Sequence, residues 1–407
     1  MMTKTVLDNG VRVLCEPLSY VGSASVGLWC NTGSANELEN EAGITHFIEH
    51  MLFKGTKTRT AKQIAEEIEG RGGMLNAFTD KENTCYYCRV LDRDVGTAIE
   101  VLSEMVTDSL LDAKELAVEK GVVLEEIKRS EDEPSDHVHD LHLESRWPTH
   151  VLGKPVIGTP ESVSSFEPDD LRRYMDRRYR GGRIVLSVAG NVDPSLVVAA
   201  AEKGLGTIAP GDGKEPLGRP TDAVTRNEIP KEVEQVHFCI GTEGCSYYDD
   251  ERYTATLLDG VLGDGMSSRL FQEVREKRGL AYAIGSYYLT YTSGGSYVVY
   301  GGTSPDKWTE VQEIVRAEFD RFMKDGAEPD ELRRTKMSLS GNLVLALEGM
   351  SARMMRMARN EMVHGRDVPI EEALQKIDAV TNDQLLEYSQ RVLDPDKIST
   401  TAIGPFS

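Results

Sequence analysis

Positive charge is in short supply in this chain. Its 46 Lys and Arg stand against 67 Asp and Glu, a formal net charge of −21. Phosphate binding rests on clustered basic residues, so neither nucleic acid nor an anionic membrane is an expected partner. Cysteine is sparse too, six in 407 residues, which excludes a disulfide-stapled scaffold. Cys85 and Cys88 are spaced C-x-x-C, but the flanking Thr84, Tyr86, Tyr87, Arg89 and Val90 read as a strand, on which positions three apart face opposite sides. They are expected to be two ordinary strand cysteines. No apolar run approaches the roughly 20 residues needed to cross a bilayer. The start, Met1 to Gly10, turns polar without the apolar centre of a secretion signal. A reducing, cytoplasmic setting is the expectation.

Apolar residues make up 40% of the chain and recur throughout it, so the charges coat a packed protein rather than mark disorder. Strand-like stretches near residues 10–16 and 23–31 are followed by helical periodicity near 43–53 and 61–70. A strand over 74–91, helices over 94–110 and 113–130, and a closing strand over 184–189 complete the pattern. A stretch rich in turn formers, with Pro210, Gly211, Gly213, Pro216, Gly218 and Pro220, then reads as a linker over 207–231. Beyond it the pattern returns. Residues 26–34 match 236–244 at an offset of 210, and 84–105 match 295–317 at an offset near 211. The predicted fold class is α+β: two homologous sandwich-like domains, 1–206 and 232–407, each an antiparallel-rich sheet flanked by helices.

Histidine is rare, at eight residues, which makes the run His46-Phe-Ile-Glu49-His50-Met-Leu-Phe-Lys-Gly55 informative. On a helix, positions 46 and 50 stack one turn apart with 49 beside them, so two imidazoles and a carboxylate face one point. Two neutral imidazoles at that spacing can ligate one Zn²⁺, and Glu49 could act as general base on a water there. Of His137, His139, His142 and His150, the first two diverge on a helix, no cysteine accompanies them, and the segment reads as a solvated or packed helix. Met350, Met354, Met355, Met357 and Met362 recur at helical spacing and read as core or interface filler.

His-x-x-Glu-His is the inverted zinc-protease signature, and the wider run GITHFIEHMLFKGT resembles the pitrilysin-type metallopeptidases, a likeness that covers nearly the whole chain. The resemblance implies a third zinc ligand on a second helix, in the segment from Glu119 to Ile127. Glu125 and Glu126 both stand there; Glu126 shares a stripe with Glu119, Val122 and Val123, whereas Glu125 turns towards Lys128 and Arg129. Glu126 is therefore the expected ligand, and Glu119 matches the family's auxiliary catalytic carboxylate.

The resemblance also implies a substrate-binding edge strand at residues 73–86, with Asn76 contacting the peptide and Ala77 admitting it closely. Arg275 and Tyr282 match the pair that binds substrate and stabilises the oxyanion. At an offset of 210, His46, Glu49 and His50 fall on Thr256, Asp259 and Gly260, so the second half is expected to hold no metal and the chain one Zn²⁺. The implied activity is a zinc endopeptidase acting on peptides or unfolded polypeptides, with a preference for basic ones given the charge. A homodimer enclosing a chamber is the implied assembly. The alternative is a non-catalytic scaffold or substrate-binding subunit; such chains typically lose the histidines or the Glu, which this one keeps.

Overall fold

In the computed structural model, residues 2–213 and 216–406 are described; Lys214 and Glu215, inside the expected linker, lie outside them. The chain forms two mixed sheets flanked by helices. The first contains β1 (Thr3–Val6), β2 (Arg12–Pro17), β3 (Ser23–Cys30), β4 (Met74–Thr79), β5 (Thr84–Leu91) and β6 (Ile184–Gly190), in the order β1-β2-β6-β3-β5-β4. The second contains β7 (Arg226–Pro230), β8 (Val236–Gly244), β9 (Ala281–Thr290), β10 (Gly295–Thr303) and β11 (Ser399–Gly404), in the order β7-β11-β8-β10-β9.

The repeat seen in the sequence is a repeat of topology. β2 runs parallel to β6 and β6 antiparallel to β3; β7 runs parallel to β11 and β11 antiparallel to β8. Strands β2, β6, β3, β5 and β4 thus correspond to β7, β11, β8, β10 and β9, while β1 has no counterpart among the described residues. The expected single strand over 74–91 is instead a hairpin. At its tip Asp80 Oδ1 accepts the N–H groups of Glu82 and Asn83 at 2.7 and 2.6 Å, the side-chain turn that Asp favours. Cys85 and Cys88 face opposite sides of β5, one in each of two separate apolar clusters.

Two compact units emerge, and each takes one segment from the other half of the chain. The first joins 1–128, 154–215 and 346–367; the second joins 129–153, 216–345 and 368–407. Helix Pro134–Arg146 packs on β8 and β11, and helix Met350–His364 packs on the equivalent strands β3 and β6. Burial explains both placements. Met354, Met357 and Met362 cover Leu14, Trp29 and Val185 on the outer face of the first sheet. Val138 joins Cys239, Val298 and Ile403 on the second. His142, fully buried, meets Thr401 Oγ1 at 3.2 Å, so the histidine-rich segment is a packed helix.

Glycines open the sheets to these helices. A Cβ on Gly27 would collide with Met354 Sδ, and one on Gly241 with His142 Nε2.

Candidate metal centre

Helix Ile44–Leu52 starts at Gly43, whose φ of +87° suits glycine and which has no side chain to cap the helix. Glu37 supplies the cap, its carboxylate accepting the N–H of Gly43 at 2.8 Å and of Thr45 at 2.9 Å. Phe47, Ile48, Met51 and Leu52 sink into the first core and fix the helix rotation. His46, Glu49 and His50 are left on the opposite stripe, the two imidazole centroids 4.6 Å apart.

Helix Ala113–Asp132 brings the third group. Glu126 Oε2 lies 3.6 Å from His50 Nε2. One ligand-type atom from each of His46, His50 and Glu126 lies within 4.8 Å of the others, and no other such trio occurs among the described residues. Glu125 points away and pairs with Lys128 at 2.6 Å. Glu119, one heptad before Glu126 and buried, places Oε1 2.8 Å from His50 Nδ1 and Oε2 2.5 Å from Lys54 Nζ. With Nδ1–H donated to Glu119, the His50 Nε2 lone pair is turned to the Glu126 side, the usual way a carboxylate orients a ligating imidazole.

Burial, followed by the neighbouring His50, pushes the His46 pKa down to about 4, so this imidazole is neutral at pH 7, as a ligand must be. His46 Nδ1 is buried without a hydrogen-bond partner among the described residues, a position that costs roughly 1–3 kcal/mol if left so. Burial raises the pKa of Glu49, opposed by the Thr79 hydroxyl, which donates to Oε2 at 2.7 Å, and by His50. Burial works against the charge on Glu119 but is outweighed by Lys54 and His50, which hold its pKa low. Two imidazoles and one carboxylate suit Zn²⁺, and three protein ligands are the number that leaves a fourth position for chemistry.

Beside this group runs β4, the edge of the first sheet, packed against the helix of His46 and paired on one side only, with β5. Ala77 packs towards the core and Asn76 is exposed, its Oδ1 accepting the N–H of Ala77 at 2.8 Å.

Residues 12–160 match the family description Insulinase (Peptidase family M16), and residues 165–339 match Peptidase M16 inactive domain. A Bacillus subtilis protein named uncharacterized zinc protease YmxG is 39% identical over 399 residues, 97% of each chain. The chain belongs to peptidase family M16. An uncharacterized zinc protease of Streptomyces coelicolor is 39% identical over 99% of this M16 chain and 89% of its own length. The fold is shared with a solved protease from Helicobacter pylori, at a TM-score of 0.93 and 20% identity over 100% of this chain and 99% of that one. It is shared also with a Pseudomonas fluorescens structure described as a peptidase M16 inactive domain, at a TM-score of 0.92 and 20% identity over 100% and 98%.

The remaining expected residues of this M16 chain form a separate group on the second unit. Arg275 lies in a π-helical turn, Phe271–Glu276, and its guanidinium lies 4.9 Å from the ring centroid of Tyr282, which is 80% exposed at the start of β9. Among the described residues the second unit shows no counterpart of the metal trio; Asp259, which matches Glu49, is buried and accepts from Ser286 Oγ at 2.5 Å. Three residues around the centre escaped the sequence reading. Lys54 and Thr79 act through partners distant in sequence, and Glu37 caps the helix from six and eight residues upstream.

Proposed function

We propose that this chain is a zinc-dependent endopeptidase acting on peptides and unfolded polypeptides, with one Zn²⁺ per chain held by His46, His50 and Glu126. The observation that carries this reading is the convergence of those three side chains beside Glu49, with His50 already oriented by Glu119. Bound zinc supplies Lewis-acid polarisation of a carbonyl and lowers the pKa of water to about 7. Glu49, steadied by Thr79, takes the proton of the attacking water and delivers it to the leaving amine. The free edge of β4 accepts an extended peptide as an added strand, with Asn76 and Ala77 setting its position. Arg275 and Tyr282 bind substrate and stabilise the oxyanion.

Because one chain carries both the metal trio and the Arg275–Tyr282 pair, the proposed assembly is a homodimer around a chamber. The charge of −21 favours basic peptides, a preference that salt should screen. No helix among the described residues is long and apolar enough to cross a membrane. The six cysteines are unpaired, as a cytoplasmic setting would keep them.

Cleavage of a fluorogenic peptide, with and without 1,10-phenanthroline and beside Glu49→Gln, tests the reading. Hydrolysis should be lost on chelation, restored by zinc, and absent in Glu49→Gln that still binds zinc. Equal activity in all arms, or none in the zinc-loaded wild type, would overturn the reading.

A further inference from the structure

On the second unit a hollow of about 450 Å³ opens between edge strand β7 and helix Trp308–Asp325. Its floor is apolar, built from Ile240, Val315, Phe319 and Ile398, and its rim is charged. Glu228 is engaged, accepting from Trp308 Nε1 at 3.0 Å. The exposed side chains of Arg226, Arg316 and Glu313 on the same rim have no hydrogen-bond or ion-pair partner among the described residues.

The duplication provides a control. In the first unit the corresponding strand β2 turns Val13 and Cys15, paired in register with Leu186 and Val188, into the core. At the offset of 210, Leu28, the partner of Leu186, matches Phe238, the partner of Ala402, so Glu228 stands on β7 where Val13 stands on β2, with Arg226 two residues before it on the same face. The helices correspond as well, Val95–Thr107 following the turn Asp92–Asp94 as Trp308–Asp325 follows Pro305–Lys307. On the second helix Val311 and Val315 are buried as Ile99 and Ser103 are on the first, and Gln312 and Arg316 lie beside them at the hollow. In the first unit helix Pro194–Leu205 closes the corner, with Gly204 so near Ser103 that a Cβ there would collide. In the second unit this face of the edge strand carries charge instead of apolar side chains, and the space beside it is open.

Two free guanidinium groups, one free carboxylate and an apolar floor are the complement of a zwitterion with an apolar side chain. We propose that this hollow binds a free apolar amino acid or a short unblocked peptide. The ligand carboxylate meets the planar forks of Arg226 and Arg316, its ammonium meets Glu313, and its side chain covers Val315 and Phe319. The volume falls within the range of small-molecule pockets, roughly 300–1,000 Å³. The site uses no residue of the metal centre and stands independently of the peptidase reading.

Calorimetric titration of the full chain with L-leucine tests this, with L-leucyl-L-leucine titrated into Glu49→Gln to prevent turnover; the tighter of the two identifies the ligand source. N-acetyl-L-leucine and L-leucinamide, each lacking one charge, should bind at least about tenfold more weakly, the worth of one charge-assisted contact. Arg226→Gln and Arg316→Gln should weaken L-leucine by a similar factor at an unchanged unfolding midpoint, whereas His46→Ala should leave it unaltered. Should a variant fail to fold, the two charge-deleted ligands on the wild type decide. Absence of saturable binding, indifference to both Arg substitutions and both blocked ligands, or loss of binding in folded His46→Ala would overturn the assignment.

Discussion

Glu119 takes the Nδ1–H of His50 at 2.8 Å while its second oxygen pairs with Lys54 at 2.5 Å. A carboxylate held from both sides cannot rotate away, so the imidazole it orients is fixed before any metal arrives. Glu119→Ala should therefore weaken zinc binding about 10- to 100-fold, and Lys54→Met, which frees the carboxylate without removing it, should weaken it less. Competition against a chromophoric chelator measures both. Unchanged affinity in Glu119→Ala would mean that the contact orients nothing.

Thr79 makes a separable contribution. Its hydroxyl holds Glu49 Oε2 at 2.7 Å but belongs to β4 rather than to the metal trio. Thr79→Val should lower kcat by about tenfold, the worth of one hydrogen bond to a charged group, with zinc content unchanged. A loss of zinc instead would assign Thr79 to the architecture of the centre.

The two glycines beneath the packed helices should tolerate no Cβ. Gly27→Ala drives a methyl into Met354 and Gly241→Ala drives one into His142. Overpacking of this kind costs roughly 1–3 kcal/mol. The flexible methionine should yield more readily than the fully buried imidazole, so Gly241→Ala should show the lower unfolding midpoint.

Asp259 gives the second unit a pH signature. Burial, only partly offset by the Ser286 hydroxyl, pushes its carboxyl up to about 7. An unfolded Asp titrates near about 3.9, so between these values the folded chain binds the extra proton. Its contribution to stability therefore falls as pH rises from about 4 to 7 and levels off above that. Asp259→Asn should unfold at a higher temperature than the wild type at pH 8 and at nearly the same temperature at pH 4. A gain that does not change with pH would show that the carboxyl is not the source.

The pairing of Arg275 with Tyr282 invites a complementation experiment. If they serve the zinc of the other subunit of the proposed homodimer, a chain carrying Arg275→Ala and Tyr282→Ala mixed with a Glu49→Gln chain should recover part of the hydrolysis that each lacks alone. Proven mixed dimers without recovery would assign the pair to the same chain's site.

Local features were legible from sequence and distant ones were not. His46, Glu49 and His50 share a stripe because the helical period brings them together, and the same period separates Glu126 from Glu125. The repeat at an offset near 210 anticipated the matching strand orders of the two sheets. The hairpin tip at Asp80–Asn83 was read through, because four polar residues between two apolar strands look like one long strand with an exposed face. Thr79 and Lys54 carry no pattern, since their partners lie 30 and 65 residues away in Glu49 and Glu119. The destination of helix Pro134–Arg146 depends on the surface of a sheet whose first strand is written some 80 residues later.

That destination bears on how the chain can be cut. With 129–153 built into one unit and 346–367 into the other, cleavage in the 207–231 stretch yields two fragments that each lack a helix held by the other. Neither fragment should fold alone, yet the pair, refolded together, should reassemble as reciprocally swapped partners do. The same connectivity is what head-to-tail fusion of a helix-swapped dimer produces: a single polypeptide whose two halves remain, in effect, each other's missing piece.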